Sequence, residues 1–125
     1  MTAGTAAWLS AFLFTQAVEI PVYLIALRRS RDALAPIEGA LPRLAAAFGA
    51  SLVTHPIVWF VIPTLPFGSY EGMVVGAESF AIIAEGLYFH ALGAMGLRRA
   101  TLWSLLANGA SVTLGLTSRY LFGWP

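Results

Sequence analysis

Long apolar runs separated by short polar turns account for nearly the whole chain. Four of these runs reach the roughly 20 residues that an α-helix needs to cross a hydrocarbon layer about 30 Å thick. They cover residues 3–27, 44–65, 72–97 and 100–122. The pattern therefore predicts an all-α fold, a four-helix transmembrane bundle, in which residues 1–125 form a single integral membrane domain.

The composition supports a membrane environment and excludes several classes of function. Hydrophobic residues make up 58% of the chain, charged residues make up 10%, and the mean hydropathy is +0.77, which is high for a soluble domain. The chain contains no cysteine, so a disulfide framework, a cysteine nucleophile and a thiolate metal site are excluded. A net charge of +1 provides no basic surface for nucleic acid.

The positions of the arginines predict the orientation, because basic residues are retained on the cytoplasmic side of a membrane. Arg119 lies near the end of the fourth segment. The other six arginines lie in the first and third connections: Arg28, Arg29, Arg31, Arg43, Arg98 and Arg99. We therefore expect a multi-pass protein of the cell inner membrane, with both termini periplasmic and the arginine-rich loops cytoplasmic.

A faint repeat in the second and fourth segments suggests internal symmetry. The sequences "AFGAS" (47–51) and "ANGAS" (107–111) are 60 residues apart, and an offset of 57 aligns Ser51 and Thr54 with Asn108 and Ser111 equally well. Duplication would produce two helical hairpins in parallel orientation, related by an axis along the membrane normal, as in some transporters. The alternative is a chance match between common small residues.

Polar residues inside the apolar segments carry most of the functional information. A charged side chain at the centre of a membrane costs at least about 2.5 kcal/mol unless it faces the protein interior. At a rise of about 1.5 Å per residue, each segment places one polar residue near the midplane: Glu19, His55, Glu85 and Asn108. Three further polar residues lie close enough to support them: Gln16, Thr54 and Ser111. We therefore expect one buried polar layer.

A separate salt bridge between Glu78 and Arg119 is expected near the outer face. Counted from the cytoplasmic ends of the third and fourth segments, each residue lies 19 positions along its helix, so the two are at the same level. In the alternative interpretation, Arg119 extends to the lipid headgroups and Glu78 joins the site around Glu85.

The order of these motifs resembles that of small, functionally unassigned four-helix bacterial integral membrane proteins. Their helices carry, in order, glutamate with proline, Thr-His-Pro with tryptophan, two glutamates, and Asn-x-x-Ser. The corresponding residues here are Glu19, Pro21, Thr54, His55, Pro56, Trp59, Glu78, Glu85, Asn108 and Ser111. The resemblance implies that the polar layer is a unit, and it implies no activity.

Three functions are compatible with such a layer. The first, which size favours, is a structural or accessory subunit of a membrane complex, because a 13.3 kDa chain has little room for a pathway unless it forms a homo-oligomer or joins a partner subunit. The second is a proton- or cation-coupled carrier or channel in which Glu19, His55 and Glu85 titrate or hold an ion. The third is an intramembrane enzyme with a metal ion bound by the same three residues.

Enzymatic catalysis has the weakest support of the three. The chain contains no H-E-x-x-H motif, and the spacing of five between Glu85 and His90 places them on different helix faces. No nucleophile is paired with a base. We therefore expect the lipid bilayer as the environment, a second copy or another membrane subunit as the partner, and no nucleic acid.

Overall fold

Four α-helices account for most of the fold in the computed structural model, which describes residues 3–125. They are α1 (Ala3–Arg28), α2 (Ala40–Phe60), α3 (Tyr70–Ala91) and α4 (Leu97–Phe122). A short 3-10 turn, Ile62–Thr64, follows α2. The predicted all-helical fold class is confirmed.

Three of the helical stretches are long and apolar enough to cross a membrane. They are Gly4–Arg28, Ala40–Thr64 and Tyr70–Ala91. Helix α4 is longer than α3, at 26 residues, but its leucines alternate with serine, threonine and asparagine, so it is less apolar than the other three. The fourth membrane span stays a prediction.

Several helix boundaries differ from the segments that hydropathy outlines, and two of the differences have a local cause. Helix α2 begins at Ala40 and not at residue 44, because Pro42 lies in its first turn, where the missing N–H would have no acceptor within the helix. Helix α3 ends at Ala91 and not at residue 97. Gly93 ends it with a φ of 70°, which favours glycine. The turn after α3 is itself apolar, so hydropathy does not reveal it.

The helices form a ring in which each one packs against its neighbours in the chain and α4 closes on α1. Among the described helices, the backbones of the diagonal pairs, α1 with α3 and α2 with α4, do not approach each other. Small side chains fill the interior and allow close packing: Ala26, Ala46, Ala47, Ala50, Ala77, Ala81, Ala94, Ala100 and Ala107. Large apolar side chains such as Leu13, Val53 and Ile83 lie on the outside. This distribution is typical of helices that pack within lipid.

The loop between α1 and α2 is fastened to the turn between α3 and α4. Ser30 Oγ donates to the carbonyl of Ala94 at 2.7 Å, and the Gly96 N–H donates to Asp32 Oδ2 at 3.0 Å. These bonds join the two hairpins at the end of the bundle that carries most of the arginines. They hold the loop in one position relative to the start of α4.

Candidate functional site

Glu19 of α1 lies inside the bundle, with 1% of its surface exposed. Its Oε2 accepts a hydrogen bond from the Ser51 hydroxyl of α2, and its Oε1 accepts one from the Ser111 hydroxyl of α4 at 2.7 Å. One carboxylate therefore links three helices, and both of its oxygens have a donor.

Glu85 of α3 is buried to the same extent, with 1% exposed. Its Oε1 accepts from Thr54 Oγ1 of α2 at 2.6 Å. Its Oε2 accepts from the Tyr23 hydroxyl of α1 and from Asn108 Nδ2 of α4 at 2.9 Å. All four helices therefore meet at this one carboxylate. The carboxylate layer, as we call it below, consists of Glu19, Glu85 and their donors: Tyr23, Ser51, Thr54, Asn108 and Ser111.

The two hairpins, α1 with α2 and α3 with α4, contribute donors to the carboxylate layer in the same arrangement. Each glutamate accepts one bond from the other helix of its own hairpin and one from the second helix of the opposite hairpin: Ser51 and Ser111 for Glu19, Asn108 and Thr54 for Glu85. The sequence offset of 57, which aligns Ser51 with Asn108 and Thr54 with Ser111, reproduces this arrangement. The offset does not extend to the glutamates themselves, which are 66 residues apart.

Two donors in the layer were not among the expected site residues. Tyr23 lies four residues after Glu19 on α1, and Ser51 lies three residues before Thr54 on α2, so both spacings place the side chains on the same helix faces as the expected residues. Helical periodicity alone was therefore sufficient to include them. Ser104 is also buried and donates to the carbonyl of Ile82 at 2.9 Å, which holds α4 against α3.

Gln16 joins α1 to α2 through a hydrogen bond and does not bind either carboxylate. It is buried, and its Nε2 donates to the carbonyl of Phe48 on α2 at 3.2 Å. Its Oε1 has no hydrogen-bond partner within residues 3–125. Gln16 therefore lies one helical turn away from the carboxylate layer, beside the contact between α1 and α2.

His55 lies outside the carboxylate layer, which corrects the expected four-residue cluster. Its ring packs among aromatic side chains, with centroids 5.3 Å from Phe12, 6.2 Å from Trp59 and 6.3 Å from Trp8. The Nδ1 atom is buried and has no hydrogen-bond partner in the described part of the chain. His55 thus contributes to an aromatic cluster between α1 and α2.

His55 lines the same cavity as Glu19 and Glu85, and helix geometry explains why it does not bind their carboxylates directly. Ser51 and Thr54 take the inward positions of α2, and the residue that follows Thr54 is rotated by about 100° around the helix axis. A metal site made by Glu19, His55 and Glu85 is consequently not assembled. Within residues 3–125, no group of three or more His, Asp or Glu side chains is arranged to hold a metal ion.

A partly open cavity of about 170 Å³ reaches the carboxylate layer. Glu19, Glu85 and Asn108 lie at its inner end, and Arg119 and Pro125 lie at its mouth. Because α4 runs from the arginine-rich end towards Arg119, the mouth is at the opposite end of the bundle from the arginine-rich loops. Within the described residues, the lining of this cavity extends from the carboxylate layer towards the end of the bundle opposite the arginine-rich loops.

Glu78 and Arg119 both line this cavity, but they do not form the expected salt bridge. Within residues 3–125 the one ion pair joins Arg99 and Asp32, at 3.9 Å. Glu78 Oε2 is buried and lacks a hydrogen-bond partner, whereas the Arg119 side chain is exposed at the cavity mouth. The expected direct pair is therefore corrected to two residues that share a cavity wall.

The carboxylate layer contains no basic side chain. Within the described residues neither Glu19 nor Glu85 forms an ion pair, and all the hydrogen bonds to their oxygens come from neutral hydroxyl and amide groups. Burial of two ionised carboxylates without a cation costs several kcal/mol or more. An arrangement of this kind favours uptake of a proton or a small cation.

No family model, no curated protein and no solved structure matches the chain. Function is therefore inferred from the geometry of the carboxylate layer and its cavity.

Proposed function

We propose that this protein is a proton- or cation-coupled membrane carrier or channel, with Glu19 and Glu85 as the groups that take up the proton or cation. One observation carries the proposal. Two buried carboxylates without an ion-pair partner in the described residues line a partly open cavity whose wall extends to Arg119. The cavity provides a route by which a proton or cation reaches them.

The cavity lining supports a cationic ligand. Three carboxyl groups, those of Glu19, Glu78 and Glu85, line its wall together with one arginine, Arg119, and one histidine, His55. The buried Oε2 of Glu78 has no hydrogen-bond partner in the described residues and is available to a ligand on its way to the layer. The excess of acidic groups attracts cations and repels anions.

Membrane insertion of all four helices is part of the proposal. The apolar exterior and the three membrane-capable stretches support it, and α4 then forms the fourth span beside α1 and α3. With the arginine-rich end cytoplasmic, the cavity mouth and both termini face the periplasm. The carboxylate layer is then supplied from outside the cell.

Flux through reconstituted protein tests the proposal. The full chain is placed in liposomes that contain a dye sensitive to pH, sodium or potassium, and the matching gradient is imposed across the membrane. We expect a cation- or proton-dependent dye signal that is lost in Glu85→Gln, because the amide keeps the side-chain shape but neither titrates nor provides an anionic ligand.

Glu71→Gln is the matched control for this experiment. Glu71 is exposed in the first turn of α3, so its replacement removes one negative charge from the same helix without changing the carboxylate layer. Unchanged flux in this variant assigns the effect to Glu85. Folded wild-type protein that gives no signal with any of the three gradients contradicts the carrier or channel.

A structural or accessory subunit is the second candidate, and a separate observation favours it. Every oxygen of Glu19 and Glu85 accepts a hydrogen bond from another helix, so the layer also fastens the four helices together. In this case Glu85→Gln keeps the cellular phenotype, and the purified wild-type protein produces no flux. Recovery of a second copy or another membrane subunit with it would then identify the complex.

A further inference from the structure

The arginine-rich end of the bundle carries a second site. We propose that it binds the headgroup of an anionic phospholipid that contains two phosphates. Five arginines lie there, from the end of α1, the following loop and the start of α4: Arg28, Arg29, Arg31, Arg98 and Arg99. The proposal depends on membrane insertion of the bundle and is independent of cation binding at the carboxylate layer.

The five arginines line two adjoining grooves. The first, of about 540 Å³, is lined by Arg28, Arg29, Ser30, Arg31 and Arg99. The second, of about 410 Å³, is lined by Arg31, Asp32, Arg98, Arg99 and Leu102. Arg31 and Arg99 line both grooves and therefore lie between them. Two phosphates joined by a short linker fit this arrangement, one in each groove with the two shared arginines between them.

The Arg99 side chain is fixed by one hydrogen bond, and its Nε–H has no acceptor in the described residues. Its Nη2 donates to the carbonyl of Arg29 at 2.8 Å. Its Nε is buried and has no hydrogen-bond partner within residues 3–125, because Asp32 Oδ1 lies 3.9 Å away, beyond hydrogen-bond distance. A buried donor without a partner is costly, and a phosphate oxygen would complete it with a charge-assisted bond.

The rest of the frame also suits a headgroup. Asp32 Oδ2 accepts from the Gly96 N–H, and its Oδ1 lies 3.1 Å from Ser30 Oγ, so the one acidic side chain that lines the grooves is already engaged. Arg31 makes no hydrogen bond or ion pair in the described part of the chain, which leaves its guanidinium free to bind phosphate. Basic pockets at the membrane surface are a known mode of binding anionic lipids.

An apolar surface for acyl chains adjoins the second groove. Leu102 lines that groove, and Leu102, Leu105 and Leu106 are exposed on α4 with the spacing of one helix face. The general retention of arginines in the cytoplasm explains their side of the membrane. Retention in the cytoplasm does not explain why Arg31 and Arg99 line both grooves. It also does not explain why the exposed leucines of α4 begin at the second groove.

Lipid retention measured by native mass spectrometry tests the site. The full chain in uncharged detergent is mixed with diphosphatidylglycerol, phosphatidylglycerol or phosphatidylcholine of the same acyl length, and with inorganic pyrophosphate as the soluble source of two phosphates. We expect diphosphatidylglycerol to bind most tightly. Arg31→Gln should weaken it about fivefold, which corresponds to the loss of one basic side chain near an anionic headgroup.

Arg43→Gln is the matched control. Arg43 lies in the first turn of α2 at the same end of the bundle, its Nε donates to the carbonyl of Ile37 at 2.8 Å, and it lines neither groove. Equal weakening by both variants would show attraction to the charged end in general and would overturn the site. Equal binding of phosphatidylglycerol, or of pyrophosphate without lipid, would also overturn it. Arg31 makes no bond that holds the fold, so its variant reports on binding and not on unfolding.

Discussion

The Tyr23 hydroxyl of α1 donates a hydrogen bond to the Glu85 carboxylate of α3. The two helices lie on opposite corners of the bundle, and their backbones do not approach each other within the described residues. Tyr23 is fully buried, and its ring packs against Phe89 with the centroids 4.6 Å apart. One side chain therefore spans the diagonal of the bundle and fixes the position of a buried acidic group.

Tyr23→Phe is expected to destabilise the folded state by about 1.5–3 kcal/mol, the range for loss of a hydrogen bond to a charged group. The ring stays in place, so the change isolates the hydroxyl. Thermal unfolding in detergent, followed by circular dichroism, measures the effect. Tyr120→Phe is the control, because Tyr120 is 88% exposed, and it should unfold like the wild type. Equal stability of the Tyr23 and Tyr120 variants would contradict the role of this bond.

Gly86 of α3 lies against the backbone of Thr101 on α4. A methyl group at this position would lie 3.2 Å from Thr101 Cα and 3.1 Å from its Oγ1. We therefore expect Gly86→Ala to push the helices apart and to destabilise the protein by about 1–3 kcal/mol. The free energy of unfolding in denaturant measures the loss.

Gly109→Ala is the matched control for that prediction. Gly109 is also inside a helix, but a methyl group there has no atom within 4 Å. Alanine has a higher helix propensity than glycine, by up to about 1 kcal/mol, so this variant should be as stable as the wild type or slightly more stable. Destabilisation by both variants to the same degree would show that the spacing of α3 and α4 is not the cause.

Ala47 lies fully buried on the inner face of α2. We expect Ala47→Leu to overpack the interior and to cost about 1–3 kcal/mol. Ala45→Leu, two residues earlier on the exposed face of the same helix, should be close to neutral. Unfolding of the two variants under identical detergent conditions decides the point, and a neutral Ala47→Leu would mean that the interior has spare volume.

Depth along each helix could be predicted from the sequence, because it depends only on residue counts and the rise per residue. Glu19, Glu85 and Asn108 were placed at one level on that basis; Asn108 binds Glu85, and Ser111 of the same helix binds Glu19. Rotation about the helix axis was harder to predict. Helix α2 has polar residues at Ser51, Thr54 and the adjacent His55, so the sequence does not distinguish a face centred on His55 from one centred on Thr54.

The long polar side chains were also harder to place than the helices that carry them. Glu78 and Arg119 are at the same level on adjacent helices, but in the described part of the chain both side chains line a cavity and do not contact each other as an ion pair. Level alone could not reveal that cavity, since its volume depends on how all four helices pack. The end of α3 was missed for a related reason, because Gly93 ends it inside an apolar stretch.

His55→Phe should leave the carboxylate layer intact. His55 packs against Phe12 and Trp59 without a hydrogen bond from its Nδ1, and phenylalanine preserves the aromatic contacts, so the free energy of unfolding should change by less than about 1 kcal/mol. Asn108→Leu has a similar volume change but removes a donor to Glu85, and it should cost about 1.5–3 kcal/mol. Both values come from denaturant unfolding, and the reverse order would return His55 to the layer.

Glu78 and Arg119 should be at most weakly coupled, because they form no ion pair in the described residues. In a double-mutant cycle of Glu78→Gln and Arg119→Gln, we expect a coupling energy within about 0.5 kcal/mol of zero, the limit for residues that do not interact. The cycle of Tyr23→Phe and Glu85→Gln is the positive comparison and should give about 0.5–3 kcal/mol, because those side chains are hydrogen bonded. If the first cycle matched the second, the two side chains would form the direct salt bridge that the sequence predicts, and Glu78 would no longer be available to a ligand in the cavity.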